Sequence, residues 1–393
     1  MILEYIHGDN SREILEFDLD IKTEDRFKYI SSSNKLEYIK EFLPAFNSGQ
    51  KLVLFDSNHK QLLEFHQKNN INLMKDVQKV NSQVLFFTSG SSGFPVGAFK
   101  TRENLLKEVA VLKELVSSYN IKRVVVTVPF VHIYGVLAGL LLPLSLGDIT
   151  LIVKEDFLPY ELLEEASQKN TLVITTPVFI KSLGKLSEPK DLSGNLFICS
   201  TGPLHNDDVK VFESLYKADL AQLFGSTETG GIAYKFGSSE RWKPLDSVEV
   251  SCRDDKLSIS SPFISPFTLN KEILPLEQPF STEDIVEIDE DGFKLLGRSN
   301  KIIKIAGKRI SASQIESILE EIEDVNAVIV ELVYKKKLLR SEQILITLEA
   351  KNEISKKEIK AKINEYYGVL TIPFKVNYVD KINYSAMGKK VLF

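Results

Sequence analysis

Residues 87–99, FTSGSSGFPVGAF, form a stretch rich in hydroxyl groups and glycine that follows an apolar run and leads into a helical pattern. Its hydroxyl-bearing residues are Thr88, Ser89, Ser91 and Ser92, and its glycines are Gly90, Gly93 and Gly97. Glycine lets the backbone approach a ligand closely, and successive main-chain N–H groups in such a turn bind anions. The GxxxxGK[ST] pattern of a Walker loop is absent, and Val96 stands where a phosphate loop usually carries lysine. The stretch fits either a phosphate-binding loop or a flexible turn.

A second glycine-rich cluster, FGSTETGG, occupies residues 224–231. Its centre offers the hydroxyl group of Thr227 and the carboxylate of Glu228. One carboxylate beside hydroxyl groups that contact phosphate suits Mg²⁺, which keeps most of its waters and bridges to phosphate oxygens. The alternative interpretation is a glycine-rich turn with a solvated glutamate.

Four further residues have side chains that could take part in catalysis or binding, and each stands alone in the sequence. His132 lies in VPFVHIYG, where histidine acts either as an acid or base or simply as a packed side chain. Nearer the C-terminus, Asp284 lies in STEDIVEI, Arg298 ends LLGR, and Lys389 lies in the terminal GKK. None of these four residues indicates a function by itself.

Strand-like and helical segments alternate over the first part of the chain. The strand-like runs are KLVLFD (51–56), VLFFTS (84–89), RVVVTVPF (123–130), ITLIVK (149–154), LVITTP (172–177) and LFICST (196–201). Longer segments of mixed polarity separate them, which predicts an α/β fold with largely buried sheets. Ligand sites in such folds collect at the carboxyl ends of strands, and the Gly, Ser and Thr residues after Phe87, Ile198 and Leu223 fall there.

From about Val248 the pattern changes to short strands with tight turns, and it includes the hairpin signal DEDG at 289–292. An amphipathic helix, two strands and a second helix follow Gly297. We therefore expect a large N-terminal domain of mixed sheets flanked by helices, residues 1–298, and a small α+β C-terminal domain, residues 299–393.

The composition excludes several classes of protein. The 393 residues are 43% hydrophobic and 26% charged, as in a soluble globular protein, and the net charge of −5 does not favour nucleic-acid binding. The N-terminus lacks the pattern of a signal peptide, and the longest apolar run is interrupted at Pro143. Cys199 and Cys252 show neither metal nor disulfide spacing. We expect a cytoplasmic protein without a nucleic-acid or membrane partner.

Taken in order, these segments resemble the adenylate-forming superfamily of acyl- and aryl-CoA synthetases, luciferases and the adenylation domains of peptide synthetases. The chain is similar to TSGSTGxPKG at 88–97, loosely to PxFHxxG at 129–135, and to GGxxL at 200–204, YGxTE at 224–228, TGD at 282–284, GRxxxxIKxxGxRI at 297–310 and GK at 388–389. Val96 departs from the loop lysine, and Lys301 replaces a common acidic residue. The parts before Thr88 and between Glu228 and Asp284 are short, so the chain resembles a shortened member.

The resemblance implies a reaction in which ATP and a carboxylic acid form an acyl-adenylate and pyrophosphate. A thiol of coenzyme A or of carrier-protein phosphopantetheine then takes the acyl group. The implied catalytic residues are Lys389, Thr227, Glu228 and His132, with Lys389 reaching the carboxylate and α-phosphate, Thr227 the α-phosphate and Glu228 the Mg²⁺. The implied nucleotide-binding residues are Thr88, Ser89, Gly90, Ser91, Ser92 and Gly93 for the β- and γ-phosphates, Ser200, Thr201, Gly202, Pro203 and Phe224 for the adenine, and Asp284 and Arg298 for the ribose. Gly225 and Ser226 are implied as further nucleotide-binding residues.

Several consequences of the resemblance remain hypotheses. The small domain of the family rotates between half-reactions at a position that corresponds to Asn300. No acidic residue lies near His132, where amino-acid-activating domains place one, so an aryl or short-to-medium fatty acid is favoured. The basic runs KKKLLR (335–340) and KKEIKAK (356–362) are candidates to dock coenzyme A or an acidic carrier protein. A shortened N-terminal part leaves apolar surface that a homodimer would cover. The competing hypothesis is a nucleotide-binding protein of this fold that has lost ligase activity.

Overall fold

The computed structural model describes residues 1–16, 28–31, 34–54, 80–88, 96–186, 188–270, 272–298, 302–305, 308–334, 342–367, 374–384 and 390–391. The chain divides into two compact units, one made of residues 1–250 and 259–280 and the other of residues 251–258 and 281–393. The domain boundary expected between residues 298 and 299 stays a prediction.

The first unit alternates strands and helices. Its strands are β1 (Ile2–Ile6), β2 (Arg12–Glu16), β3 (Lys28–Ile30), β4 (Leu52–Leu54), β5 (Val84–Thr88), β6 (Val96–Lys100), β7 (Arg123–Val126), β8 (Thr150–Lys154), β9 (Thr171–Thr175), β10 (Leu196–Cys199), β11 (Asp219–Ser226), β12 (Gly230–Phe236), β13 (Arg241–Pro244), β16 (Phe267–Leu269) and β17 (Ile273–Pro275). Its helices are α1 (Lys35–Asn47), α2 (Arg102–Leu115), α3 (Ile133–Val136), which continues through a π-helical turn (Leu137–Leu141) into α4 (Leu142–Leu146), α5 (Pro159–Glu165), α6 (Pro177–Leu186) and α7 (Asn206–Tyr216).

The larger sheet of this unit has the strand order β13-β12-β11-β10-β9-β7-β8-β1-β2. From β11 to β1 neighbouring strands are parallel, whereas β2, β12 and β13 pair antiparallel. The parallel strands are continuous apolar runs without exposed surface at residues such as Val125, Val173 and Phe197. Strands that are buried on both faces have such continuous apolar sequences. The predicted α/β class is confirmed.

The smaller sheet has the order β17-β16-β6-β5-β4-β3. β5 and β6 are antiparallel, with Thr88 opposite Val96 and Val84 opposite Lys100. The glycine-rich stretch therefore leads into a strand, and α2 begins only after Thr101, which caps the helix together with Asn104. Gly97 lies inside β6, where a Cβ atom would come within 2.9 Å of Leu85 Cδ1. The sequence pattern did not separate this short strand from the helix that follows it.

The second unit is smaller and of α+β type. Its elements include β14 (Glu249–Arg253), β15 (Lys256–Ser260), β18 (Phe280–Asp289), β19 (Gly292–Arg298), β20 (Ile302–Ile305), β21 (Lys308–Ser311), α8 (Ala312–Glu320), β22 (Val325–Tyr334), β23 (Glu342–Ala350), α9 (Lys356–Tyr367), β24 (Phe374–Tyr378), β25 (Asn383–Tyr384) and β26 (Lys390–Val391). The order β22-β23-β24 forms a sheet whose apolar face packs against buried side chains of α8 and α9, among them Ile315 and Ile359. None of the helices in the described part of the chain has the length and apolar character that spanning a bilayer requires.

Candidate active site

Residues 226–230, which we call the Glu228 turn, join β11 to β12 and include three of the predicted site residues, Ser226, Thr227 and Glu228. The turn is closed by its own hydroxyl groups: Ser226 N donates to Thr229 Oγ1 at 3.0 Å, and Thr229 N donates to Ser226 Oγ at 3.2 Å. Thr229 is buried, whereas Thr227 and Glu228 at the tip are half-buried. These bonds use Ser226 to shape the turn, and its predicted contact with the nucleotide stays a prediction.

Phe224 precedes this turn and packs against an aromatic ring that the sequence analysis missed. The ring centroids of Phe224 and Trp242 lie 5.5 Å apart with an interplanar angle of 49°, and Lys235 Nζ lies 5.0 Å from the Trp242 centroid. Burial lowers the pKa of the Lys235 ammonium. Trp242 is the only tryptophan in the chain. Its contact with Phe224 depends on the pairing of β13 with β12, which the sequence does not show.

The segment 200–203 lies next to Phe224 because it follows β10, which pairs in parallel with β11. Ser200 Oγ donates to Leu223 O at 2.9 Å and so ties the segment to the neighbouring strand. Thr201 has a φ of +86°, a strained backbone for a β-branched residue, and Gly202 and Pro203 are exposed. Strain of this kind is concentrated at ligand sites, and the structure brings the two predicted adenine segments side by side.

His132 lies at the N-terminal end of α3 and is half-buried. The segment around it is fixed by Tyr134, whose buried hydroxyl group lies within hydrogen-bond distance of two carbonyl oxygens, Ile198 O at 2.8 Å and Thr175 O at 3.2 Å. At Gly135 a Cβ atom would lie 2.1 Å from Pro129 O, so only glycine fits. His132 is therefore held near the carboxyl ends of β9 and β10, where ligand sites of α/β folds collect.

Asp284 and Arg298 lie opposite each other on the antiparallel strands β18 and β19 of the second unit. Arg298 Nε is 3.6 Å from Asp284 Oδ1, and their side chains are 45% and 14% exposed, respectively. Burial raises the pKa of Asp284, while the charge of Arg298 and a bond from Thr282 act in the opposite direction. A half-buried carboxylate next to an exposed guanidinium can accept hydrogen bonds from paired hydroxyl groups such as those of a ribose.

Several predicted residues lie outside the described part of the chain. They are Ser89, Gly90, Ser91, Ser92, Gly93, Asn300, Lys301, Lys389 and the run 335–340. Thr88 is described only in its backbone, as the last residue of β5. Their predicted roles stay predictions.

The family of AMP-binding enzymes matches residues 32–260, more than half of the chain, and this chain belongs to that family. The resemblance found in the sequence is thereby confirmed.

Curated relatives and solved structures agree with this membership. A 4-coumarate--CoA ligase of Cereibacter sphaeroides is 27% identical over 299 residues, 75% of this chain and 62% of the relative. The peroxisomal OPC-8:0-CoA ligase 1 of Arabidopsis thaliana is 25% identical over 324 residues, 71% of this chain and 59% of the relative. The matched stretch therefore spans about three fifths of the length of these relatives.

Among solved structures, o-succinylbenzoate CoA synthetase (MenE) of Bacillus subtilis in complex with its acyl-adenylate intermediate has a TM-score of 0.81 at 18% identity, covering 99% of this chain and 94% of that one. ATP-bound MatB of Rhodopseudomonas palustris has a TM-score of 0.78 at 15% identity, covering 98% and 93%. At these identities the likeness shows the fold.

Proposed function

We propose that this chain uses ATP and Mg²⁺ to convert a carboxylic acid into an acyl-adenylate with release of pyrophosphate. The acyl group then passes to a thiol, either of coenzyme A or of a carrier protein's phosphopantetheine. The observation that carries the proposal is the family match over residues 32–260, which contains both glycine-rich segments. The relatives named as CoA ligases support the thiol step.

The chemistry follows from charge. A carboxylate oxygen attacks the α-phosphorus, the new P–O bond replaces the bond to the β-phosphate oxygen, and pyrophosphate leaves with the electron pair. Because the acid is ionised at neutral pH, the step needs no general base. Both reactants are anions, so the site has to supply positive charge and oriented donors and hold the reactants in line.

The donor set of the Glu228 turn fits Mg²⁺. A magnesium ion at a nucleotide is held by one or two carboxylates together with phosphate oxygens and water. In our proposal Glu228 would supply the carboxylate and Thr227 would donate to the α-phosphate. The ion, when bound, neutralises charge that develops on the phosphate oxygens.

For the other predicted residues we propose the roles that the family resemblance implies. Ser200, Thr201, Gly202 and Pro203 would line the adenine with Phe224, while Asp284 and Arg298 would bind the ribose and Lys389 would reach the reacting carboxylate. His132 would face the acid, and the absence of an acidic residue beside it favours an aryl or short-to-medium fatty acid over an amino acid.

Pyrophosphate exchange into ATP with a panel of acids tests the proposal. Wild-type protein should catalyse exchange with at least one aryl or fatty acid, and Lys389→Ala should abolish it. The matched control is Lys381→Ala, because Lys381 is an exposed lysine in the same part of the chain. Full exchange activity of Lys389→Ala would contradict the proposed role of that lysine in adenylate formation. A comparison of coenzyme A with a holo carrier protein as acceptor would identify the thiol.

The competing proposal is a nucleotide-binding protein that no longer ligates. It is favoured by Val96, the first residue of β6, which stands where the family's loop carries lysine. ATP binding without exchange for any acid would support this alternative. A homodimer, a carrier-protein partner and a cytoplasmic location are further predictions, and light scattering of the purified protein tests the first of them.

A further inference from the structure

Two charged side chains lie beneath the Glu228 turn and have no part in the proposed reaction. Lys100 ends β6 and is 0% exposed, and Glu108 lies on α2 and is 4% exposed. Removing a charge from water is costly unless polar partners replace the water. The partners of these two residues therefore indicate what the buried charges hold in place.

Lys100 holds the main chain of the turn itself. Its Nζ donates to Glu228 O at 3.2 Å and to Phe263 O at 2.5 Å. Ser265 N also donates to Glu228 O, at 2.8 Å. The carbonyl group of Glu228 thus accepts two hydrogen bonds from outside the turn, which fixes its peptide plane and the direction in which the Glu228 side chain leaves the backbone.

Glu108 holds the main chain directly after the turn, at the start of β12. Its Oε1 accepts a hydrogen bond from Gly231 N at 2.7 Å. A Cβ atom at Gly230 would lie 2.5 Å from Glu108 Oε2, and Gly230 has a φ of +72°. Glycine is required there both by its backbone conformation and by the carboxylate packed against it.

Lys100 and Glu108 also interact with each other through their charges. Burial lowers the pKa of Lys100 to about 8, and the charges of Glu108 and Glu228 oppose that change. Burial raises the pKa of Glu108 to about 7, opposed by the charge of Lys100 and the bond from Gly231. Each charge therefore makes the other easier to bury.

We propose that Lys100 and Glu108 are positioning residues for the metal ligand: they hold the carbonyl group of Glu228 and the main chain three residues later, at Gly231, so that the Glu228 carboxylate meets Mg²⁺ bound to ATP. The inference rests on the proposed function. Because β6 directly follows the glycine-rich loop, Lys100 also connects the two segments expected to bind phosphate. Its ammonium group does not replace the missing loop lysine, since it is buried and bonded to carbonyl oxygens.

Lys35 provides a matched control in the same unit. It is 6% exposed, and its Nζ donates to Thr127 O at 3.1 Å and Lys154 O at 3.0 Å. Burial lowers the pKa of Lys35 to about 8 as well. Lys35→Met and Lys100→Met therefore remove the same group, with the same number of main-chain acceptors, at two different places.

The test measures ATP binding by calorimetry at fixed ATP and increasing Mg²⁺. Lys100→Met should raise the Mg²⁺ concentration for half-maximal binding by about tenfold, the usual effect of losing a group that orients a metal ligand. Lys35→Met should stay within about twofold of wild type by the same comparison.

Hydrogen exchange of a peptide containing Gly231 should become faster in Lys100→Met and stay unchanged in Lys35→Met. If Lys100→Met does not fold, Lys100→Gln, which retains one donor group, serves in its place.

The outcomes separate the two proposals. An unchanged Mg²⁺ dependence in Lys100→Met, or an equal change in Lys35→Met, overturns the positioning role while the proposed function stands. Binding of MgATP by wild type without pyrophosphate exchange for any acid overturns the proposed function, and the Mg²⁺ comparison still decides the positioning role. Absence of MgATP binding by wild type overturns both.

Discussion

Lys35 and Lys100 make the same kind of contact in two regions of the first unit. Each ammonium group donates to two main-chain carbonyl oxygens, and burial lowers each pKa to about 8. The acceptors of Lys35, Thr127 and Lys154, lie at the carboxyl ends of β7 and β8. The acceptors of Lys100 lie in the Glu228 turn and at Phe263. The two lysines thus have similarly lowered pKa values and differ in the segments whose carbonyl groups they bind.

The nearby carboxylates show the consequence of that difference. Glu155 Oε2 accepts hydrogen bonds from Lys35 N at 2.8 Å and from the Tyr5 hydroxyl group at 3.4 Å, so its side chain is part of the packing. At Glu228 the contacts from Lys100 and Ser265 are made to the carbonyl oxygen. A buried lysine therefore does not mark a functional site by itself. Both ammonium groups hold main chain, and they differ in whether that main chain presents a predicted ligand of the nucleotide site.

The largest expected effect separates these two carboxylates. Glu228→Gln should lower pyrophosphate exchange by roughly 100-fold or more, because an amide cannot supply the charge that a Mg²⁺ ligand provides. Glu155→Gln keeps an acceptor oxygen for its two donors and should leave the exchange rate close to that of wild type. Exchange is measured with saturating MgATP. Equal losses in both variants would remove the distinction between the regions.

The next expected effect concerns what the two regions share. Because burial lowers each lysine pKa from 10.5 to about 8, the unfolded chain binds more protons between about pH 8 and 10.5, and the free energy of unfolding rises with pH there. The stability of wild type relative to either Lys→Met variant should increase by about 2 to 3 kcal/mol from pH 7 to 10. Urea unfolding at several pH values measures it. A rise for only one lysine would show that their environments differ.

The sequence predicted the parts of this architecture that depend on local patterns. Runs such as RVVVTVPF are apolar without interruption because parallel strands are buried on both faces, and they appear as β7 and its neighbours. The glycine-rich segments were found because glycine and hydroxyl residues cluster at strand ends. The strand β6 was missed because five residues between a glycine-rich loop and a helix carry little periodicity.

The contacts of Lys100, Glu108 and Trp242 could not be predicted in the same way. Lys100 reaches Glu228, which is 128 positions away along the chain, and Glu108 reaches Gly231 across 123 positions. In the sequence these two residues look like ordinary solvated charges in a helical stretch. Their roles depend on tertiary packing between β6, α2 and the Glu228 turn, which no local pattern encodes.

Glu108 has a pKa raised by burial to about 7, which makes the Lys100 region sensitive to pH on the acidic side as well. Between its unfolded value near 4.5 and about 7 the folded state binds more protons, so the free energy of unfolding falls as pH rises. Glu108→Gln removes this titration and keeps an acceptor for Gly231. The stability of wild type relative to Glu108→Gln should fall by about 2 kcal/mol from pH 5 to 7.

The charge of Lys100 acts on the Glu108 carboxyl group. The charge of Glu228 acts on Lys100. Lys100 stays protonated across the range from pH 5 to 7, so the change belongs to Glu108. Thermal or urea unfolding of both proteins at each pH measures the difference. A constant difference between the two proteins would mean that Glu108 is already ionised at pH 5.

The smallest expected effect concerns Val96, which lies on the same strand as Lys100, four residues earlier, and is half-buried. Val96→Lys should lower the apparent KM for ATP by roughly two- to fivefold, since one partly exposed charge contributes about 1 kcal/mol or less. Val96→Met controls for side-chain length. If the two variants have the same apparent KM for ATP, the charge at this position has no effect on phosphate binding.

The same substitution also separates the two positive charges of β6. A lysine at position 96 would act on the phosphates through space, and its effect should shrink as ionic strength rises. Lys100 is buried and acts through the backbone of the Glu228 turn, so salt should change its contribution little. Val96→Lys in the Lys100→Met background should therefore improve ATP binding without restoring the Mg²⁺ dependence of wild type. Restored Mg²⁺ dependence would mean that Lys100 acts as a charge rather than as a support for the turn.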